Sequence, residues 1–339
     1  MVGGVMSGEA GIGVARIVVA RIGVVCLNPA LDITHHVAAV DWSGVNRPGV
    51  VHVRPGGKGL NVARTLHALG AEVLVMGLAG GATGEAVTTG LAALAVPAAF
   101  TRVAGETRRT FTVVDGRTGH AAAFNEPGPL IEADGYARFR DRYKSVLPGC
   151  AAVVLSGSLP PGLAPGSYAE LTTMAAAAGV PVLLDAHGDA LRLGAAAGPA
   201  IAKPNLAELE MFAGRRLSGV QAVAAAAGEL RAAGPQAVVV SLGPGGLYAD
   251  TGDGCWQAVP PRVVAGNATG AGDAAAAGLA CGLALGQRWD ERLRHAVALG
   301  TAAALAPAAG EFDPADYATL LDTTVVTPAA AHAQGEAGR

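Results

Sequence analysis

Short apolar runs alternate with Ala-rich stretches along most of the chain. The runs are IGVVCL from residue 22, VLVMGL from 73, AAVVLSG from 151, VPVLLDA from 180 and AVVVSLG from 237. This rhythm predicts parallel strands joined by crossover helices. Because the runs are almost continuously apolar, we expect helices to cover both faces of the sheet. The pattern therefore predicts a doubly wound α/β fold with a mostly parallel central sheet.

Two segments interrupt this rhythm, residues 33–54 and 98–125. Both show polar alternation and turn signals, DWSG in the first and DGRTG in the second. These features predict strands that lie outside the buried sheet and pair as a small antiparallel β sheet, here called the lid. The main domain would then comprise residues 16–32, 55–97 and 126–323, and residues 1–15 and 324–339 are expected to be disordered. The length of 339 residues suits either two domains or one large domain with an insertion.

Composition and charge exclude several classes of function. The chain has 24 Lys plus Arg against 27 Asp plus Glu, a net charge of −3, and no basic tract. A nucleic-acid or anionic-membrane partner is therefore not expected. No apolar run approaches the roughly 20 residues of a spanning helix, and the N-terminal segment does not resemble a signal peptide, so we expect a cytoplasmic protein. The four cysteines form no CxxC pair, which indicates buried thiols and not a zinc site.

The most informative stretch is residues 263–285, where Gly270, Ala271, Gly272 and Asp273 directly precede an apolar helix. A Gly-rich turn at a helix N-terminus presents backbone N–H groups to an anion. Asp273 could accept the proton of an attacking hydroxyl while those N–H groups stabilise a phosphoryl group. It could equally do no more than complement the helix dipole.

A second Gly-rich turn occurs at residues 55–66, PGGKGLNVARTL, with Gly57 and Lys58 in the turn and Asn61 at the start of a predicted helix. This is another anion-receptive helix N-terminus, now with a cation. Gly-rich loops also open helices that bind no ligand. The chain contains neither a Walker A sequence nor a GxGxxG fingerprint, so phosphate chemistry would use another fold.

Three weaker signals accompany these turns. In GETRRT, residues 105–110, Arg108 and Arg109 would point to opposite faces of a strand, so at most one reaches a site; a solvated pair is the alternative. Asn205 and Glu208 are three residues apart and could hold Mg²⁺ through water, or they could form a capping box. The turn SLGPGG, residues 241–246, would let the backbone approach a planar ligand.

Together these motifs resemble the PfkB (ribokinase-like) family of carbohydrate kinases over residues 22–322. TGAGDA at 269–274 and GGKGLNVA at 56–63 are similar to the two signatures of that family. LNPALD at 27–32, VNR at 45–47, GETR at 105–108, NEPGP at 125–129, SGSLPPGL at 156–163 and KPNLAELE at 203–210 are similar to the branch that phosphorylates ketohexose phosphates. The resemblance implies a ribokinase-like three-layer α/β/α sandwich with a small β-sheet lid.

The resemblance also implies roles for individual residues. Asp273 would be the catalytic base, and Gly270, Ala271 and Gly272 would form the anion hole. The sugar and its existing phosphate would be bound by Asp32, Gly57, Lys58, Asn61 and Arg108, with help from Arg47. Asn205 and Glu208 would organise Mg²⁺, and ATP would lie along Lys203, Asn205, Ser241, Gly243, Gly246, Gly270 and Gly272. Two subunits would form a homodimer through their lids.

The implied activity is ATP-dependent phosphorylation of a ketohexose monophosphate, first of all fructose 1-phosphate to fructose 1,6-bisphosphate. Tagatose 6-phosphate and then fructose 6-phosphate are the alternative substrates. A non-catalytic sugar-phosphate sensor is a hypothesis of another class, and Thr269 also suggests a kinase of unphosphorylated sugars or nucleosides. His187 departs from the branch pattern and is expected to be a satisfied loop histidine or to alter access to the site.

Overall fold

The strands and helices alternate along most of the chain. The computed structural model describes residues 21–261, 269–306 and 308–329. Its strands are β1 (Ile22–Cys26), β2 (Ala30–Val37), β3 (Val50–Gly56), β4 (Val73–Ala79), β5 (Ala98–Arg102), β6 (Arg108–Asp115), β7 (Ala121–Asn125), β8 (Ala152–Ser156), β9 (Val182–Asp185), β10 (Ile201–Ala202), β11 (Ala237–Ser241), β12 (Leu247–Thr251), β13 (Gly254–Val259) and β14 (Val325–Ala329). Its helices are α1 (Lys58–Ala68), α2 (Gly81–Ala93), α3 (Ala133–Val146), α4 (Ser167–Ala177), α5 (Gly188–Ala196), α6 (Leu206–Ala213), α7 (Gly219–Ala232), α8 (Ala271–Ala284), α9 (Trp289–Leu305) and α10 (Pro314–Thr323).

Within the described residues, ten strands form one large sheet in the order β14-β13-β12-β11-β10-β9-β8-β1-β4-β5. The strands from β11 to β5 run parallel to their neighbours, and β12, β13 and β14 add an antiparallel edge. The predicted apolar runs are the strands in the middle of this sheet. The predicted α/β fold with a mostly parallel sheet is confirmed.

Helices cover both faces of the large sheet, as the continuous apolar strands predict. Successive residues of β1 point to opposite faces, so Val24 belongs to the core on the side of α1, α8 and α9, while Val25 belongs to the core on the side of α3 and α4. The second layer buries three stacked aromatic rings, of which Phe139 and Tyr143 on α3 are almost fully buried. The three layers of the predicted sandwich are therefore present.

The lid is a second sheet with the strand order β3-β2-β6-β7. Pairs β2–β3 and β6–β7 are antiparallel hairpins, but the central pair β2–β6 is parallel, with Asp32 opposite Thr110. The prediction of a purely antiparallel lid is therefore wrong at its centre. The reason is that β2 follows β1 and β6 follows β5. Since β1 and β5 run in the same direction in the large sheet, the chain leaves both at the same end, and β2 and β6 also run in the same direction.

Three predicted boundaries also differ from the structure. Residues 98–102 form β5, which pairs with β4 in the large sheet, so the second lid segment starts at Arg108. The lid strands also include 30–32 and 55–56, which the sequence assigns to the main domain. Residues 325–329 form β14 by pairing with β13, so this part of the predicted disordered tail is ordered. The expectations for 1–15 and 330–339 lie outside the described residues.

None of the helices in the described ranges is long and apolar enough to cross a membrane. The predicted cytoplasmic location stays a prediction.

Candidate active site

A cavity of about 1330 Å³ lies between the lid and the C-terminal ends of the parallel strands. This edge of an α/β sheet is where helix N-termini and loops converge on a ligand. The cavity is lined by nearly all residues that the sequence assigns to the site: Asp32, Gly57, Lys58, Asn61, Arg108, Lys203, Asn205, Glu208, Ser241, Gly243, Gly246, Gly270, Ala271, Gly272 and Asp273. Arg47 is the exception, because it lies in the exposed turn between β2 and β3 and does not line the cavity.

The N-terminus of α8 faces the cavity. Gly270 is its N-cap residue and has a φ of 86°, a left-handed conformation that favours glycine. A side chain there would also collide with the loop before α10, because a Cβ on Gly270 would lie 2.7 Å from that of Ala309. The first N–H groups of a helix have no partner within the helix, and the N-cap residue Gly270 has no side chain to cap them. The predicted anion hole therefore has suitable geometry.

Asp273 lies in the first turn of α8 and is only 7% exposed. Burial raises the pKa of Asp273 to about 7, and the negative charge of Asp185 adds to this shift. The amide of Asn61 donates a hydrogen bond of 2.9 Å to Asp273 Oδ2, and this bond together with Lys58 and Lys203 limits the rise. A carboxylate with such a pKa can accept a proton near neutral pH.

A buried carboxylate, Asp185, joins the two predicted lysines. It ends β9 and is 1% exposed. Lys58 Nζ lies 3.2 Å from Asp185 Oδ1, and Lys203 Nζ lies 3.1 Å from Asp185 Oδ2. Burial alone would raise the pKa of Asp185, but the two ammonium groups hold it below its usual value. Asp185 is therefore a buried carboxylate that forms ion pairs with both Lys58 and Lys203.

Asn205 and Glu208 form the capping box that the sequence offers as one of two interpretations. Asn205 Oδ1 accepts from the N–H of Glu208 and Glu208 Oε2 accepts from the N–H of Asn205, both at 2.9 Å. The other carboxylate oxygen, Glu208 Oε1, remains on the cavity side and lies 3.2 Å from Lys58 Nζ. The cap therefore orients Glu208 without using all of its oxygen atoms.

The turn after β11 forms another wall of the cavity. Ser241 ends the strand, Gly243 begins a short 3₁₀ turn and Gly246 follows it, and all three residues line the cavity. The backbone of Gly246 approaches β13 so closely that a Cβ would lie 2.0 Å from the carbonyl oxygen of Ala258. This wall is backbone-rich, as the sequence predicts for a surface that contacts a planar ligand.

The lid contributes Asp32 to the cavity. Thr110, its neighbour on β6, donates a hydrogen bond to Asp32 Oδ1. Burial raises the pKa of Asp32, while the Thr110 hydrogen bond and the charge of Arg108 act in the opposite direction. A Cβ at Gly56 would lie 1.8 Å from Asp32 Oδ2, so a larger residue there would displace the Asp32 carboxylate from its present position.

The GETR segment fixes Arg108 at the base of the lid. Glu106 accepts hydrogen bonds from the backbone N–H groups of Ala82 and Thr83, at 3.1 and 3.0 Å, and so caps α2. Two residues later, Arg108 Nε donates to the carbonyl oxygen of Asn28 at 3.1 Å. Arg108 faces the cavity.

Arg109 instead points away from the cavity and pairs with Glu126 at 3.0 Å. As predicted, one arginine of the pair reaches the cavity.

Sequence reasoning missed two further arginines that line the cavity, Arg54 on β3 and Arg64 on α1. Both pair with Glu311 in the loop before α10, and the Arg64 Nη2 to Glu311 Oε1 distance is 3.1 Å. Arg54 is the cross-strand neighbour of Asp32. Arg64 lies one turn after Asn61 on the same helix. Because residues three apart share a helix face, this spacing could have predicted that Arg64 faces the same cavity.

Asp185 was also missed, although it ends an apolar run. An acid at the C-terminal end of a buried parallel strand was the available signal, because such strands end at the cavity. His187, two residues later, is exposed at the N-cap of α5 and does not line the cavity.

Comparison with known proteins identifies the family. The sequence model of the pfkB family of carbohydrate kinases matches residues 26–316. The chain therefore belongs to this family and is a carbohydrate kinase with a ribokinase-like fold. A 1-phosphofructokinase of Rhodobacter capsulatus is 38% identical over 290 residues, which are 85% of this chain and 92% of the relative.

Two solved structures of phosphofructokinase-2 from Escherichia coli are also similar to the chain. The complex with potassium is 32% identical with a TM-score of 0.85. The complex with fructose-6-phosphate is 31% identical with a TM-score of 0.83. Each comparison covers 89% of this chain and 98% of the solved chain.

Proposed function

We propose that the protein transfers the γ-phosphoryl group of ATP to a ketohexose monophosphate, with fructose 1-phosphate as the first candidate and fructose 1,6-bisphosphate as the product. The observation that carries this proposal is the set of three arginines around Asp32, namely Arg54, Arg64 and Arg108. A substrate that already carries a phosphate needs such cations, and an unphosphorylated sugar does not. The 38% identity to a 1-phosphofructokinase supports the same choice.

In the proposed reaction, the free hydroxyl of the sugar attacks the γ-phosphorus of ATP and ADP leaves. Asp273 takes the proton of that hydroxyl, for which its raised pKa is suited. The N–H groups at Gly270, Ala271 and Gly272 stabilise the charge on the transferred group. Asn61 orients the Asp273 carboxylate through their hydrogen bond. A non-catalytic sensor would have no use for this base.

The described residues offer hard oxygen ligands for the Mg²⁺ that such a transfer needs. Glu208 presents Oε1 to the cavity and Asp185 is close to it, since both carboxylates contact Lys58 Nζ. Carboxylate oxygens with retained water suit Mg²⁺. When bound there, Mg²⁺ would neutralise negative charge on the nucleotide phosphates. Asn205 would take part by fixing Glu208 through the capping box, with its own amide oxygen already used.

Nucleotide binding is proposed for the wall formed by the Ser241, Gly243 and Gly246 turn, which leads toward Lys203. Lys203 is only 3% exposed and pairs with Asp185, so it contributes a fixed positive charge near the proposed phosphate position. The glycine-lined turn lets a planar base approach the backbone.

The sugar phosphate is proposed to bind at the base of the lid. Three arginines and two acids, Asp32 and Glu311, leave a surplus of one positive charge in this cluster. Asp32 would accept hydrogen bonds from sugar hydroxyls, and Gly57 would contribute its backbone at the start of α1. Arg108 presents a fork of donors that suits a phosphate. Lys58 is predicted to assist, although it already pairs with two carboxylates.

Fructose 6-phosphate is the second candidate substrate. It is favoured by the similarity to phosphofructokinase-2, of which one solved structure contains fructose-6-phosphate. Tagatose 6-phosphate remains a further alternative from the sequence. The two arms of a ketohexofuranose flank the ring almost symmetrically, so one phosphate grip could present either hydroxyl to Asp273.

The experiment that tests the proposal is identification of the product. Purified protein with ATP, Mg²⁺ and fructose 1-phosphate is expected to yield fructose 1,6-bisphosphate, which ³¹P NMR distinguishes from the substrate. The same assay with fructose 6-phosphate or tagatose 6-phosphate decides between the candidates. ADP formation without any new phosphate ester would contradict the proposal.

A homodimer through the lids is also proposed. The pleat of the lid places polar side chains toward the cavity and apolar ones, such as Ile33, Val51, Val53, Phe111 and Phe124, on the outer face. Val51, Val53 and Phe124 are about half exposed, at 48%, 56% and 55%. An apolar sheet face of this kind is typical of a surface that a second subunit covers.

A further inference from the structure

Lys58 occupies the position between the two carboxylates that are proposed to approach Mg²⁺. Its Nζ lies 3.2 Å from Asp185 Oδ1 and 3.2 Å from Glu208 Oε1. Both carboxylates are buried, with exposed fractions of 1% and 9%. The ammonium group of Lys58 therefore lies between two carboxylate oxygens, where a divalent ion could bind if the ammonium group were absent.

The four groups in direct ion-pair contact balance without a metal, because Asp185 and Glu208 supply two negative charges and Lys58 and Lys203 supply two positive ones. Asp273 also interacts electrostatically with both lysines and with Asp185, and it adds negative charge when it is ionised. Buried charges with matched partners gain little from a further cation, whose removal from water is costly. Nucleotide phosphates entering the site would add negative charge and so restore the need for a cation.

We propose that Lys58 is a built-in counter-ion that keeps Asp185 and Glu208 from binding a divalent cation until the nucleotide brings it. Lys58 thereby acts as a positioning residue for the two carboxylates, and it makes metal binding depend on the nucleotide. This inference rests on the proposed metal role of Glu208 and is independent of which sugar is phosphorylated.

The test is Mn²⁺ binding to the nucleotide-free protein, measured by electron paramagnetic resonance of free Mn²⁺. Wild type is expected to bind Mn²⁺ weakly at this site, with a dissociation constant above about 1 mM. Lys58→Met leaves two adjacent buried carboxylates with only Lys203 opposing them. We expect that variant to bind one Mn²⁺ at least about tenfold more tightly.

Three further variants separate the proposal from general effects of charge. Lys144→Met removes an exposed lysine on α3 that does not line the cavity, so this variant is expected to bind Mn²⁺ as weakly as wild type. Lys58→Arg keeps a cation and is expected to bind Mn²⁺ as weakly as wild type. The double variant Lys58→Met/Glu208→Gln is expected to lose the gained site.

Tight stoichiometric Mn²⁺ binding by nucleotide-free wild type would overturn the inference, even if Lys58→Met failed to fold. Equal binding by wild type and a folded Lys58→Met variant would overturn it as well. The readout involves no turnover, so this failure is distinguishable from that of the proposed function, which would appear as wild type that forms no sugar bisphosphate.

Discussion

Asp273 links the electrostatics of the site to the pH dependence of the reaction. Burial raises its pKa to about 7, and only the ionised form can accept a proton. We therefore expect kcat/KM for the sugar phosphate to fall tenfold per pH unit below this value and to level off above it. Asn61→Ala removes a hydrogen bond that lowers this pKa, so its profile should shift to higher pH. A flat profile between pH 6 and 8 would contradict the assignment.

Replacing the base provides a direct test of its role. Asp273→Asn preserves the shape of the side chain but removes its ability to accept the proton. We expect kcat to fall by about 10²- to 10⁴-fold, while ATP and sugar phosphate bind with little change in calorimetric titration. Near-normal turnover in this variant would rule out Asp273 as the base.

The arginines at the base of the lid are expected to recognise the substrate phosphate. Arg108→Met and Arg54→Met should each raise KM for the sugar phosphate by about 10- to 100-fold, the range for a lost hydrogen bond to a charged group. KM for ATP should remain close to that of wild type. Arg109→Met is the matched control, because Arg109 is the neighbour that faces away from the cavity. Equal effects at Arg108 and Arg109 would contradict the proposed phosphate site.

Most of the residues predicted from the motifs line the cavity, because Gly-rich turns at helix starts fix both the backbone conformation and the exposed N–H groups. Gly270 illustrates this, since its left-handed φ and its close contact with Ala309 both require glycine. Asp185, Arg54 and Arg64 were missed because their partners are distant in sequence. Arg64, for example, pairs with Glu311, which lies 247 positions later. Arg47 lies in an exposed turn and does not line the cavity, and its expected help in binding the sugar phosphate stays a prediction.

At the scale of elements, the lid forms a sheet whose cavity face is mostly polar and whose outer face is mostly apolar. Val53→Asp places a charge on the apolar outer face, so we expect it to convert the proposed dimer into a monomer. Light scattering after size-exclusion chromatography measures this change. Val50→Asp is the control, because Val50 lies opposite His36, a cavity-facing residue, and so points to the other face. A wild-type monomer, or dissociation by both variants alike, would contradict the proposed interface.

The elements predicted correctly are those with a strong local pattern. The buried parallel strands and the Gly-started helices α1 and α8 follow directly from apolar runs and turns. Strand β5 was assigned to the lid because its sequence, AAFTR, lacks a continuous apolar run, yet it lies at the edge of the large sheet beside β4. Strand β14 gains its order from pairing with β13 and not from its own sequence.

At the scale of the whole molecule, the large sheet brings distant motifs to one edge. Strands β9, β10 and β11 are neighbours, so Asp185, Lys203 and Ser241 meet there although the sequence separates them. The N-termini of α1 and α8 lie at the same end of these strands, and the hydrogen bond from Asn61 to Asp273 connects the two helices there. The topology therefore brings segments from residue 32 to residue 309 to one cavity, with the lid on one side. We expect a closed lid to exclude water from the transferred phosphoryl group.

The central claim is that the cavity selects a sugar which already carries a phosphate. The most direct measurement compares kcat/KM for fructose 1-phosphate, fructose 6-phosphate and tagatose 6-phosphate with that for free fructose, ribose and adenosine, using saturating ATP and Mg²⁺. We predict that one ketohexose phosphate exceeds every unphosphorylated substrate by at least about 100-fold, as expected for a charge-assisted phosphate contact. A preference for an unphosphorylated sugar or nucleoside would contradict the account and would favour the alternative that Thr269 suggests.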